Sequence, residues 1–305
     1  MNKLWQYIKE PWRIVVAFDR HVWSIVPDKL FLKCIYRCLM GKKLDLKNPQ
    51  TFNEKLQWLK LYDRCPEYTT MVDKYAVKQW VADRIGEEYI IPTLGVWDSF
   101  DDIDFDQLPG QFVLKCTHSS GDVVICKDKS SFDKTQSRAQ LIECLNKDLY
   151  TIAREWPYKN VPRRIIAEQY MEDQETQELR DYKFFCFNGA PDCVMLCYDR
   201  YSDLGTKFLF FDENWELKKY NFRGMQTSGD LSYLKPYNIN EMFRLAEVLA
   251  KETKAPFLRV DLYEINHRVY FGELTFYPAS GFDNNILPEA DKYFGNKVRL
   301  FDNNF

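Results

Sequence analysis

No apolar run in this sequence approaches the ~20 residues that a membrane-spanning helix needs. The opening stretch, MNKLWQYIKEPWRIVVAFDRHVWSIV, lacks the apolar core and small-residue cleavage site of a secretory leader, which points to the cytoplasm. No CxxC pair occurs, and none of the nine cysteines has the Cys/His spacing of a zinc site. Cys34 and Cys38 stand at helical spacing and Cys193 and Cys197 lie in an apolar run, so both pairs read as reduced, buried thiols. Histidine is scarce, with three in all, and no Ser/His or Cys/His arrangement suggests a covalent nucleophile. There is no GxxxxGK[ST] phosphate loop, no internal repeat and no low-complexity linker. A net charge of -3 leaves no surplus of Lys and Arg to neutralise phosphates, which argues against a general nucleic-acid binder.

What is present is the balance of a globular chain: 305 residues, 46% of them hydrophobic and 29% charged. Nineteen Tyr and 22 Phe are enough for a thick core, with some left to stack against sugar rings. Near the N-terminus Trp5, Tyr7, Trp12 and Trp23 interleave with Lys3, Lys9, Arg13 and Arg20. That mixture suits an anionic membrane face, and peripheral association with a membrane or an assembly complex follows from it. A helix packed on the domain is the simpler expectation.

Residues 1–65 read as helical, because LFLKCIYRCLM and EKLQWLKLYD both repeat apolar residues at three-to-four spacing. Thr51 or Asn53 can cap the second of these. A helix is expected over 72–85, ended by Gly86, then a strand in YIIPTLGVW and an acidic turn, DSFDDIDFD. The segment FVLKCTHSSGDVVICKD reads as two strands, 112–115 and 123–125, around a polar turn containing Gly121. A helix is expected over 137–156. The C-terminal half alternates strands (RRIIAEQYM, DYKFFCFNG, DCVMLCYD, KFLFFDENWELKKYNF) with one helix, NEMFRLAEVLAKET. It closes in a ribbon, FLRVDLYEINHRVYFGELTFYP, turning around 265–267. The pattern is α+β.

The ribbon carries the sharpest chemistry. Arg259 and Asp261, two apart on a strand, project from one face, and a fold at Asn266 returns Glu273 beside them. Charges inside apolar strands are costly unless they bind a cation or one another. Two carboxylates holding magnesium, and a cross-strand salt bridge to Arg259 without metal, are level on spacing alone. A second cluster lies in FVLKCTHSSGDVVI: Lys115 ends a strand, and Thr117, His118, Ser119, Ser120 and Gly121 form a small-residue loop that can cradle phosphate oxygens. By itself that hairpin reads as an ordinary polar turn with a surface lysine.

The order of pieces is more specific than any one of them: DK at 73–74, VLK with its loop at 113–121, AEQYM at 167–171, RDYKFF at 180–185, RVD at 259–261 and GELT at 272–275. In this order the chain resembles the ATP-grasp superfamily, and within it the TupA-like family of bacterial surface-polysaccharide and teichuronopeptide biosynthesis. NPQTFNEKLQWLKLYD followed by DKYAVKQWV is similar to that family's N-terminal signature. The resemblance runs from about Leu46 to the C-terminus. It implies an ATP-grasp fold, with a nucleotide held between two α+β lobes and an N-terminal helical extension. The divisions expected are a helical region (1–70), an α/β part (71–110), a small β-rich lobe with the phosphate loop (111–168) and a C-terminal lobe with the metal site (169–305).

Residue roles follow from the same resemblance. Lys74 and Lys115 would reach the ATP phosphates under the loop formed by Thr117, His118, Ser119, Ser120 and Gly121. Glu168, Gln169, Tyr170 and Met171 match the hinge that meets adenine, Asp181 the ribose-side acid, and Lys183 a phosphate contact. Asp261 and Glu273 match the magnesium carboxylates, with Thr275 where the family has an Asn ligand; Asn284 or Asn285 is a substitute. Arg259 matches the arginine facing the acyl phosphate. The implied cofactors are ATP and Mg²⁺, and the implied substrates a small-molecule or glycan carboxylate and an amine such as an amino acid. Arg200, Lys207 and Arg223 are candidates for reading an acidic sugar. Other expectations are a glycosyltransferase, for which DDIDFD supplies a DxD at Asp102–Asp104, a kinase on the same fold, and a degenerate scaffold.

Overall fold

The computed structural model describes residues 25–119, 121–199 and 205–301. The basic aromatic N-terminal stretch up to residue 24, Ser120 and Arg200 lie outside the described residues. In chain order the elements are α1 (Asp28–Met40), α2 (Phe52–Tyr62), α3 (Tyr68–Val72), α4 (Ala76–Ile85), β1 (Thr93–Trp97), β2 (Phe112–Cys116), β3 (Val123–Cys126), α5 (Lys134–Leu145), α6 (Leu149–Ala153) and β4 (Ile165–Gln169). There follow β5 (Asp181–Phe187), β6 (Ala190–Tyr198), β7 (Lys207–Phe211), β8 (Leu217–Lys218), α7 (Phe222–Gln226), α8 (Ile239–Thr253), β9 (Phe257–Ile265), β10 (Arg268–Thr275) and α9 (Pro288–Lys297).

The strands make two antiparallel sheets, a small one in the order β1-β4-β2-β3 and a large one in the order β10-β9-β5-β6-β7-β8. Each has its own core. The small core gathers Phe100, Ile103, Phe105, Phe112, Leu114, Leu141 and Ile165, while α1, α2, α3 and α4 pack into the core of the large sheet.

Local chemistry explains most boundaries. Thr51 caps α2, accepting from the Glu54 backbone while the Glu54 carboxylate accepts from the Thr51 backbone, a capping box. The expected helix over 72–85 starts late, at Ala76, because the Asp73 carboxylate accepts from the Tyr75 and Ala76 backbone (2.9 and 3.2 Å). The helix expected over 137–156 is two, α5 and α6, since Asp148 accepts from the Thr151 backbone and starts a new one. In the acidic turn, apolar Ile103 and Phe105 plug the small core while Asp102 and Asp104 face solvent, Asp104 accepting from the Asp106 backbone.

The large sheet is two-faced. Tyr182, Phe184 and Cys186 of β5 look toward α8, whose Leu245, Ala246 and Leu249 are fully buried. On the opposite face the same strand reads Asp181, Lys183, Phe185, Phe187. Its lower half is an aromatic block: Phe52 of α2 lies 4.7 Å from Phe257 and 5.7 Å from Phe294, and Phe185 lies 5.5 Å from Phe294, centroid to centroid. Such pairs add about 0.5–1.5 kcal/mol each beyond burial. The upper half of that face is left to charge.

Candidate active site

Glu273 meets Asp261 because of one extra residue. The β9–β10 hairpin closes on Asn266 and His267, both left-handed (φ 49° and 60°), the geometry of a two-residue turn that suits Asn. Regular pairing from that turn holds as far as Phe271 opposite Leu262 and would put Glu273 opposite Val260, on the face covered by α8. The register slips between Phe271 and Glu273, so Gly272 bulges and Glu273 stands opposite Asp261 instead. Gly272 fits because its backbone passes close by: a Cβ there would meet the Tyr263 ring at 2.9 Å and the Asp261 carbonyl at 3.0 Å.

The cluster this creates is an ion network. Arg259 donates to both Asp261 oxygens (2.6 and 2.7 Å) and to Glu273 (2.7 Å). Lys183 pairs with Asp261 and lies 2.5 Å from Asp181. Thr275 donates its hydroxyl to Glu273 at 3.0 Å. The Arg259 salt bridge is therefore formed. Three carboxylates face two cations, which leaves one surplus negative charge. Burial, with Asp181 and Glu273, pushes the Asp261 carboxyl up against the pull of Arg259 and Lys183. At Glu273 burial raises and Arg259, Lys74 and Lys183 lower, and lowering wins.

Among the described residues no three His, Cys, Asp or Glu side chains converge as a metal site, so a divalent cation would take its protein ligand from Glu273. Its side chain keeps 35% of its surface accessible, whereas Asp261, 1% exposed, is spent on Arg259 and Lys183. Hard carboxylate oxygens with an unbalanced negative charge suit magnesium, which takes one or two carboxylates and completes its shell with water and phosphate. Asn284 is elsewhere, its amide donating to the Leu39 carbonyl, and the Asn285 backbone donates to Asp283.

The opposite wall comes from β2 and β4 of the small sheet together with α4 and the residues before it. Glu168 on β4 sits between Lys115 on β2 (2.5 Å) and Lys78 on α4 (2.6 Å). Burial raises its pKa, but the two ammonium groups more than offset that. Lys78 also donates to the Ile91 carbonyl and the Thr93 hydroxyl. Lys74 joins its backbone N–H to the Thr117 carbonyl (3.0 Å) and its ammonium to the Ser119 carbonyl, so the DK motif and the loop form one piece. Burial lowers the pKa of Lys74. His118 is 3% exposed, near Arg163 and Lys74, and burial lowers its pKa too. Gly121 is left-handed at φ 85°. Gln169 donates its backbone N–H to Pro92, Tyr170 its hydroxyl to Glu172, and Met171 is half-buried beside them. Lys207 is paired with Asp199.

The two walls meet. Lys74, Lys78, Lys115 and Glu168 from one side and Tyr263, Phe271 and Gly272 from the other, with Ile90 and Ile91, line a narrow cavity of about 10 Å³. Lys78, Tyr263 and Phe271 were outside the sequence expectation. Both kinds of signal existed: Lys78 lies one helical turn after Lys74, and Tyr263 shares the face of Arg259 and Asp261.

A family model described as TupA-like ATPgrasp matches residues 54–299. No curated protein matches the chain. Among solved structures, the L-amino acid ligase from Bacillus licheniformis is similar at 12% identity and a TM-score of 0.43, over 75% of this chain and 49% of that one. D-alanine–D-alanine ligase from Bacillus anthracis, solved with ATP, is 13% identical with a TM-score of 0.43, over 75% of this chain and 63% of that one. The ATP-grasp ligase PsnB, solved with a minimal precursor, Mg and ADP, is 8% identical with a TM-score of 0.37, over 73% of this chain and 57% of that one. The chain thus spans about half to two thirds of the length of these enzymes.

Proposed function

The chain belongs to the TupA-like ATP-grasp family, and from that premise we propose that it is an ATP-dependent carboxylate–amine ligase. Its substrates would be a sugar acid of a bacterial surface polysaccharide, or a precursor of one, and an amino acid or other amine. The observation that supports this most is that Lys74, Lys78 and Lys115 close on Tyr263, Phe271 and Gly272, next in the chain to Glu273, with Lys74 within electrostatic reach of Glu273 and so of its partner Arg259.

In this reading Lys74 and Lys115 neutralise the nucleotide phosphates, the loop from Thr117 to Gly121 covers them, and the hinge from Glu168 to Met171 meets the base. Asp181 stands on the ribose side. Glu273, with Thr275 beside it, would hold magnesium, which supplies charge neutralisation at the phosphate oxygens when bound, while Asp261 holds Arg259 and Lys183 in place. The substrate carboxylate takes the γ-phosphoryl group and ADP departs. Arg259 and Lys183 offset the negative charge that builds on the acyl phosphate and again when the amine adds to it. The amine then displaces phosphate and an amide forms. Such chemistry needs positioned charge and no protein nucleophile.

The test is a panel of uronic acids against amino acids with ATP and magnesium, reading ADP and phosphate release. Release should require a carboxylate and an amine together, and Asp261→Asn and Glu273→Gln should abolish it while the thermal midpoint shows a folded chain. Turnover indifferent to any amine would make the protein a kinase. Consumption of a sugar nucleotide without ATP would make it a glycosyltransferase. Near-normal turnover in both variants would remove the two carboxylates from the site.

A further inference from the structure

Lys60 is a buried charge that this chemistry leaves unused. It lies on α2 with 0% exposure, and its ammonium donates to the Gln57 side chain (3.1 Å) and to the carbonyls of Ala153 and Ser280 (both 2.7 Å). All three acceptors are neutral. The ring of Phe282 lies beneath it, with its centroid 4.7 Å away. Burial lowers the pKa of Lys60, with Glu155 opposing.

The acceptors identify what Lys60 holds. Ala279, Ser280 and Gly281 are left-handed in succession (φ 47°, 53° and 65°), and two of them carry a Cβ that disfavours this conformation. The turn is gripped from several sides. Lys60 takes the Ser280 carbonyl, the Ser280 hydroxyl donates to Glu155, and the Gln57 amide donates to the carbonyls of Ser280 (3.1 Å) and Gly281 (2.6 Å). A Cβ at Gly281 would meet that amide at 2.4 Å, so the grip leaves no slack.

Two segments converge here. Ala153 and Glu155 belong to the run that leads from the small lobe back to β4, and the turn follows directly from the end of β10, which carries Glu273 and Thr275. Glu155 is within electrostatic reach of Lys60 on one side and of Glu273 and Arg259 on the other. Between turn and strand, Phe276 stacks on Tyr68 at 4.1 Å and the Tyr277 hydroxyl accepts from Trp156, so displacement of the turn is passed along a packed chain.

We propose that Lys60 is a positioning residue, whose ammonium clamps the left-handed turn at residues 279–281 and thereby sets Glu273 and Thr275 for a metal-bound nucleotide. The inference rests on the ligase reading for its consequence, but not for the clamp itself.

The test uses the full chain with Lys60→Met, Ala279→Gly and the two combined. Glycine adopts the left-handed conformation without hindrance, so Ala279→Gly relieves the need for the clamp. Without nucleotide, Lys60→Met speeds hydrogen exchange at the Ser280 and Phe282 amides, which donate to the Tyr277 and Ala279 carbonyls (2.9 and 3.0 Å). With magnesium present, ATP affinity falls about 10–100-fold, as for other lost partners of metal ligands. Affinity in EDTA stays put, which a general loss of structure would not leave. Ala279→Gly restores both readings. Unchanged exchange, or a loss that Ala279→Gly fails to restore, overturns the clamp. Should Lys60→Met not fold, folding of the combined variant supports the clamp and its failure refutes it. Failure of the ligase reading looks different: the unmutated chain would show no magnesium-dependent ATP binding, while exchange at Ser280 and Phe282 still answered to Lys60.

Discussion

Glu168 and Glu273 hold their charge in places that disfavour it. Burial raises both, and the neighbouring cations more than compensate: Lys115 and Lys78 at Glu168, Arg259, Lys74 and Lys183 at Glu273. The sign of the pH dependence follows. A carboxylate whose folded pKa is depressed takes up protons more readily in the unfolded chain, so its stabilisation is complete above about pH 5 and drains away as pH falls toward the folded value. Water reaching the accessible third of Glu273 weakens its share, and Glu168, at 5% exposure, carries more. Between about pH 5 and 3 the unmutated protein should therefore lose more stability, or gain less, than Glu168→Gln, read as the pH dependence of the urea midpoint. Equal slopes in the two proteins would show that the Lys78–Glu168–Lys115 arrangement stabilises nothing. At this scale the sequence was legible in part. Asp261 and Glu273 stand out because apolar strands surround them, and Lys74 announces Lys78 one turn on. What Lys78 touches depends on how α4 and β4 meet, which no local pattern encodes.

The elements themselves follow from local rules wherever one rule acts alone. The helix α8 shows its period plainly, and the β9–β10 turn needs a residue that tolerates left-handed backbone, which Asn266 supplies. Where a side chain competes with the backbone, the pattern misleads: Asp73 delays α4, and Asp148 divides the helix expected over 137–156. The bulge at Gly272 is the harder case, because a glycine in a strand signals a bulge, a bend or a close approach without saying which. Here it is both bulge and close approach. Gly272→Ala would press a methyl against the Tyr263 ring and the Asp261 carbonyl, and the second cannot swing away as a side-chain end could. Overpacking of this kind costs about 1–3 kcal/mol. Urea unfolding should show that loss, together with weakened magnesium-dependent turnover, and wild-type stability in the variant would mean that β10 has more room than its contacts imply.

Across the whole molecule, two sheets with separate cores leave the space between them as the place where charge collects. The cavity between the walls, about 10 Å³, is far smaller than the roughly 300–1,000 Å³ of typical ligand pockets, so a nucleotide requires the walls to part. Binding to the folded chain alone then stabilises it, by about 2.7 kcal/mol at a hundredfold excess over Kd. ATP with magnesium should accordingly raise the thermal midpoint of the unmutated protein, and Glu273→Gln should lose the part that depends on magnesium. No rise at any nucleotide concentration would leave the cleft a structural seam. The absence of a low-complexity linker already pointed to closely packed parts; which side chains line the gap was not legible, because they come from distant segments.

The single slip at Gly272 makes the ribbon a matter of odd and even. An even change in residue count between Asn266 and Glu273 keeps that carboxylate looking out toward the ligand side. An odd change turns it inward beneath α8, among Leu245 and Leu249, where it would have no guanidinium to meet. In this chain the ribbon between turn and Glu273 can therefore change in length by twos without turning the carboxylate over.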